Sequence, residues 1–264
     1  MSLQSRRPKA PWWAYFVLFA VIFILYLPVI VMVVSSILVK TDHWVISLKW
    51  YREILHDNDL IDALIRSLKV GFTSSLVSTL IGGFAAIALI KSKFRFAKTV
   101  DALSFLSLVV PELVFALSLL SWFFVLRLEL SLFTVILAHI TFSLCFVLMT
   151  VNGRLASLDV TIEDAARDLG ANEWRILWTV TLPLIMTSLL AGFLLAFLLS
   201  FDDFLITFFT CGVGSDTLPI RLYAAMKSGL TPKLSALATL MLAFTIALIL
   251  LLKRARGLKI FGQM

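Results

Sequence analysis

An all-α membrane protein with six transmembrane helices is what this sequence predicts. Three observations predict it: a large apolar excess, six apolar runs of spanning length, and basic clusters that recur on one side of those runs. The chain has 264 residues, 61% of them hydrophobic and 15% charged, with a mean hydropathy of +1.01. Soluble domains carry about 25% charged residues, so most of this surface is not built for water. Residues 1–264 read as a single membrane domain. The net charge of +7 comes from short basic clusters between apolar stretches, which is the pattern of membrane orientation rather than of nucleic-acid binding.

A hydrocarbon core about 30 Å thick takes roughly 20 apolar residues of helix. Runs that meet this length are 12–39, 64–90, 100–126, 131–151, 184–210 and 233–252. The first follows Arg6, Arg7 and Lys9 but extends well past the 7–15 residues of a signal-peptide core, with no A-x-A-like site after it. It reads as a retained span. Lys91, Lys93, Arg95 and Lys98 fill the second link, and Lys253, Arg254, Arg256 and Lys259 follow the last run. With six spans all these clusters share one face, the cytoplasmic one, so both termini are expected there. The opposite loop, 40–63, carries Asp42, Glu53, Asp57, Asp59 and Asp62.

Two outer connections have helical signals of their own. Leu48, Tyr51 and Leu55 recur at helical spacing. In 211–232, Pro219 starts a short helix and Gly229 stops it, after which Thr231-Pro232 supplies an N-cap and a first-turn proline. Cys145 and Cys211 sit in or at the end of apolar runs and have no disulfide or metal spacing. His43, His56 and His139 stand alone and read as loop or packed-helix histidines.

One inner loop, about 152–182, is long and polar. Thr161 with Asp164 fits a capping box, Ala165 and Ala166 leave a side where another surface can approach, and Gly170 is a left-handed stop. Asn172 caps a second helix over 173–180, and Leu182-Pro183 opens the fifth span. The run Asp164-Ala165-Ala166, three residues, Gly170, nine residues, Val180-Thr181-Leu182-Pro183 resembles the EAA loop of ABC-importer permeases, with Asp164 for glutamate and Val180 for isoleucine. The resemblance implies a permease fold like that of type I importers. In it, Glu163, Asp164, Ala165, Ala166 and Gly170 form a coupling element docking on a separate ATPase. The chain has no G-x-x-x-x-G-K-[ST] sequence to cradle nucleotide phosphates, so neither catalysis nor a cofactor is expected of it.

Ionisable residues inside spans cost about 2.5–3.5 kcal/mol each and by default mark function. Glu112, beside the helix-opening Pro111, lies about 18 Å from the inner end of the third run, and Asp202 about 27 Å from that of the fifth, at 1.5 Å per residue. These acids, with Asp203, suit a cation arriving from outside. Placement near the outer interface, or pairing of Glu112 with Arg127 or Lys69, is the competing reading.

The stretches Ser200-Phe201-Asp202-Asp203-Phe204, Thr217-Leu218-Pro219, Lys227-Ser228-Gly229-Leu230-Thr231-Pro232 and Ala236-Leu237-Ala238-Thr239 narrow the resemblance to spermidine/putrescine permeases of bacterial inner membranes. It covers about Trp50 to Leu240. It implies a substrate path through Ser200, Asp202, Asp203, Glu112 and Trp50. It also implies a second, homologous permease subunit, an ATPase dimer and an extracytoplasmic polyamine-binding protein, with no nucleic-acid partner. An ABC permease for another cationic or small solute, or a free-standing secondary transporter, are the alternatives. The topology has a direct test. In a background lacking Cys145 and Cys211, an impermeant thiol reagent applied from outside should label Asp57→Cys and spare Ser92→Cys, and the reverse pattern would invert the orientation.

Overall fold

The computed structural model describes residues 12–40, 44–91, 97–159, 161–227, 229 and 231–260. Arg6, Arg7, Lys9, Asp42, His43, Lys93 and Arg95 lie outside them. The chain divides into two compact units, Met1–His56 with Ala225–Leu242, and Asp57–Ala224 with Ala243–Met264.

In the first unit, α1 (Trp12–Ile37) is apolar on every side and exposes nearly all its large side chains, as a lipid-facing helix does. Its end differs from expectation. Residues 38–40 leave the helix and pair antiparallel with 44–46 as β1 (Leu38–Lys40) and β2 (Trp44–Ile46), Val39 opposite Val45. β-branched residues favour that pleated ribbon over a last helical turn. The expected short helix is α2 (Lys49–Leu55), and Tyr51 ties it to α1 through a 2.7 Å hydrogen bond with Ser36.

The second unit is built on α3 (Asn58–Lys91), longer at its start than the run that predicted it. The third run is not one helix. It breaks at Val110–Pro111 into α4 (Ala97–Val109) and α5 (Glu112–Val125). Proline has no N–H to give and its ring clashes with the preceding turn. After α6 (Leu132–Leu155) come α7 (Thr161–Asp168) and the short α8 (Glu173–Ile176). Because α6 continues to Leu155, the inner loop begins later than 152.

The helix expected over 173–180 stops at Ile176, and Leu177–Thr181 form a π-helical turn leading into α9 (Leu182–Phe201). The fifth run is also broken, by Asp202, Asp203 and Phe204, before α10 (Leu205–Thr210). α11 (Leu218–Lys227) and α12 (Pro232–Ile260) complete the chain. Both follow their predicted signals: Gly229 takes φ +117°, and the Thr231 hydroxyl accepts the Leu234 N–H. Among the described residues five helices are long and apolar enough to cross a membrane, with Glu112–Val125 a shorter sixth apolar helix.

Packing in the second unit centres on α3, α6 and α9, where Ala86, Ile87, Val147, Val151, Leu155, Ile185 and Ala196 form one buried cluster. Lipid tails are as apolar as these side chains, so close contact and small residues drive association. α3 accordingly buries Ser67, Gly71, Ser74, Ser78, Gly82 and Ala86 along one stripe. A Cβ on Gly82 would stand 3.1 Å from the Leu144 carbonyl oxygen, whereas one on Gly153 would meet nothing within 4 Å. Gly82→Ala should therefore lower the thermal midpoint of the purified protein, by about 1–3 kcal/mol of overpacking, while Gly153→Ala should not. Equal midpoints for the two variants would count against this packing.

Candidate functional site

The two helix breaks of the second unit face each other. Glu112 is the first residue of α5 and Asp203 lies two residues before α10, and their carboxyls are close enough to interact directly. Asp203 is 8% exposed and takes the place of an N-cap. Its Oδ1 accepts the Ile206 N–H at 3.3 Å, and its Oδ2 accepts the Thr207 N–H and hydroxyl, each at 2.8 Å. A broken helix exposes N–H groups that lipid cannot satisfy, and this one carboxylate satisfies two of them.

Behind Asp203 lies a buried polar chain. His139 of α6 places Nε2 at 3.3 Å from Asp203 Oδ2 and 2.9 Å from Thr207 Oγ1, and Nδ1 at 2.5 Å from Ser200 Oγ. Ser74 of α3 donates to Ser200 Oγ at 3.1 Å. One proton order satisfies His139. Ser200 donates to Nδ1 and Nε2–H points at Thr207 and Asp203, while the single Ser74 proton is shared between Ser200 Oγ and the Val70 carbonyl oxygen, which it meets at 2.7 Å. The chain thus links α3, α6 and both halves of the fifth run.

The five residues expected on a substrate path are therefore placed differently. Ser200 and Asp203 are buried in this network, while Asp202 and Glu112 are exposed. Asp202 Oδ2 accepts the Thr245 hydroxyl of α12 at 3.2 Å. Phe204 stacks near Tyr223, ring centroids 4.6 Å apart. Trp50 belongs to the first unit, where the Lys49 ammonium sits 5.1 Å from its ring. Ser74 and Thr207 were not singled out in the sequence, and His139 was read there only as a loop or packed-helix histidine. Thr207 had a readable signal, four residues after Asp203, but nothing in an apolar run says which way a lone histidine faces.

In the inner loop, Asp159 Oδ1 accepts the Thr161 N–H at 3.0 Å at the start of α7. That backbone N–H, then the Thr161 hydroxyl, hold its carboxyl below the usual range. Asp164 is instead engaged by Arg167 at 2.7 Å, and Arg167 also grips Glu173 at 2.7 Å. That clamp fixes α7 against α8. Gly170 turns the chain between them at φ +82°, a left-handed value in which other side chains are strained. Asn172 caps α8 by accepting the Arg175 N–H at 2.8 Å. Ala165 is exposed and Ala166 half-buried, and Leu169 (89%) and Trp174 (68%) stand in the open.

Residues 78–257 match the family described as "Binding-protein-dependent transport system inner membrane component". The spermidine/putrescine transport system permease protein PotC of Haemophilus influenzae is 36% identical over 239 residues, covering 89% of this chain and 92% of that protein. The putrescine transport system permease protein PotI of Escherichia coli K12 is 33% identical over 246 residues, covering 89% and 86%. Among solved structures, a bacterial ABC transporter that imports the acidic polysaccharide alginate superposes with a TM-score of 0.69 at 17% identity, covering 91% of this chain and 94% of that one. The MetNI methionine ABC transporter gives 0.63 at 16%, covering 74% and 94%.

The fold is that of ABC-importer permeases, and the chain belongs to the family of binding-protein-dependent inner-membrane transport components. It is a multi-pass membrane subunit rather than an enzyme, and its family works with a binding protein and a separate ATPase.

The buried chain generates a stability prediction. Removing one partner from a buried hydrogen-bonded group costs about 1–3 kcal/mol, so His139→Ala should lower the thermal midpoint clearly. His56→Ala should change it little, since His56 is exposed and bonds only within its own helix turn. A His139→Ala protein as stable as wild type would mean the network contributes nothing.

Proposed function

We propose that the chain is a polyamine permease that carries spermidine or putrescine across the inner membrane, paired with a second, similar permease subunit. An ATPase dimer engages the inner loop from the cytoplasm, where both termini lie, and an extracytoplasmic binding protein delivers the polyamine. The observation that carries the reading is the meeting of two helix breaks at Glu112, Asp202 and Asp203. α9 ends at Phe201, so its negative dipole end adds to the carboxylates there. Unwound backbone between half-helices is where membrane transporters hold coupling cations. The names of the relatives at 33–36% identity support the choice of polyamine over other cations.

Each residue has a distinct part in this reading. Asp202 and Glu112 offer open carboxylates to the ammonium groups. Phe204 and Tyr223 add aromatic faces beside them. Asp203 and Ser200 hold the break rigid from behind. Asp164, Ala165, Ala166 and Gly170 present the loop to the ATPase. ATP binding closes that dimer, displaces the loop and turns the path outward.

The test is uptake of labelled spermidine and putrescine by the whole complex in liposomes, at matched protein levels. Charged hydrogen bonds contribute about 1.5–3 kcal/mol each, so Asp202→Asn and Glu112→Gln should each cut uptake about ten-fold or more. Asp159→Asn, in the inner loop, should leave it unchanged. Wild-type polyamine uptake by the Asp202→Asn, Glu112→Gln double variant would sink the acidic-path reading.

A further inference from the structure

Not every side chain of the inner loop faces outward. Glu163 turns back from α7 toward the spanning helices and meets Lys91, the last residue of α3. Lys91 Nζ lies 2.8 Å from Glu163 Oε1 and donates to Thr181 Oγ1 at 2.7 Å. The Thr181 hydroxyl donates to the same Glu163 oxygen at 2.7 Å. The three groups close a triangle, with Lys91 and Glu163 side chains only 23% and 18% exposed. Burial pushes the Glu163 carboxyl up, but hydrogen bonds from Lys91 and Thr181 and the charges of Lys91 and Arg167 outweigh it and hold it below the usual range. The carboxylate is therefore ionised at neutral pH.

The position of the triangle matters more than its strength. Lys91 ends α3, and Thr181 ends the π turn directly before α9. α3 and α9 are two of the three helices packed in the central cluster. α7 is itself braced, because Arg167 joins Asp164 and Glu173 across the Gly170 turn. Force applied to the exposed Leu169 and Trp174 therefore moves α7 and α8 together. α8 runs on through the π turn into α9, and Glu163 is where α7 is fastened to the ends of both spanning helices.

We propose that Lys91, Glu163 and Thr181 are positioning residues that deliver the displacement of the inner loop to α3 and α9 at once, and that Glu163 is a transmission contact rather than part of the surface that meets the ATPase. This rests on the reading of α7, Gly170 and α8 as the ATPase-docking element. Glu163 Oε2 lies 3.8 Å from Arg167, but its Oε1 turns inward to Lys91 and Thr181, whereas the Asp164 carboxylate faces outward and pairs within the loop. The π turn fits the same role. Its wide i→i+5 bonds are rare and occur mostly as single turns at functional sites, here between the loop and the span it moves.

The test uses the complete transporter, permeases with ATPase and binding protein, in liposomes. It measures capture of the ATPase, and labelled spermidine imported per ATP hydrolysed. Glu163→Gln keeps the shape of the side chain, and Lys91→Met keeps most of its length. Both should capture the ATPase like wild type yet import about five- to ten-fold less per ATP, the low end of typical coupling energies. The double variant should be no worse than either single, the signature of residues acting as one unit. Lys91→Arg should import normally.

Wild-type import per ATP in the single variants overturns the proposal, and so do multiplied losses in the double variant. Loss of ATPase capture by Glu163→Gln overturns it too, by making Glu163 a docking residue. The docking reading fails separately, if Leu169→Asp and Trp174→Asp both capture the ATPase at wild-type levels.

Discussion

A helix interrupted within a bilayer frees backbone N–H groups that hydrocarbon cannot satisfy, and the organisation of this chain follows from how that demand is met at Asp203. The carboxylate accepts the N–H groups of Ile206 and Thr207, so α10 can start afresh where α9 has stopped. Being buried, it needs further partners, and His139 and Thr207 supply them. His139 in turn is fixed by Ser200, and Ser200 by Ser74. Remove the break and none of these polar groups has reason to sit among packed helices. Keep it, and Asp202 is left free to face away, toward Thr245.

Asp202 and Asp203 are neighbours in the break yet face opposite ways, one exposed and one buried, so the two acids cannot serve one narrow path equally. The structure resolves that constraint by division. Asp203 works inward on the fold, and Asp202 and Glu112 stay open. In the proposed path, cation binding and structural integrity thus meet at one break but rest on different side chains. Interhelical hydrogen bonds in membranes average about 0.6 kcal/mol each, so the network both adds stability through its several bonds and holds one geometry.

Elements with local signals were legible in the sequence. Apolar length gave α1, α3, α6 and α12, Thr231-Pro232 gave the start of α12, and Gly170 and Asn172 gave the turn and cap of the inner loop. Pro111 announced the first break. The second carried no proline or glycine, because its cause is tertiary: Asp203 finds partners only once α6 brings His139 beside it. The β1–β2 ribbon was hidden for a related reason, since Leu38 and Val39 continue an apolar run and only Val45 opposite makes them a strand. Lys91 was read from its charge as an orientation marker. Its pairing with Glu163 spans 72 positions of sequence, which no periodicity reveals.

The π turn also bears on the spacing of the loop. The stretch from Ala171 to Thr181 ends in Leu177–Thr181, and an i→i+5 turn holds one residue more than an α turn. A strictly α-helical redesign would cover the same axial distance with a shorter count. The length of this stretch thus accommodates a backbone irregularity as well as its side chains. Shortening it by one would heal the helix and leave most residue types in place, yet it would take away the slack that lets the span and the loop hold different phases.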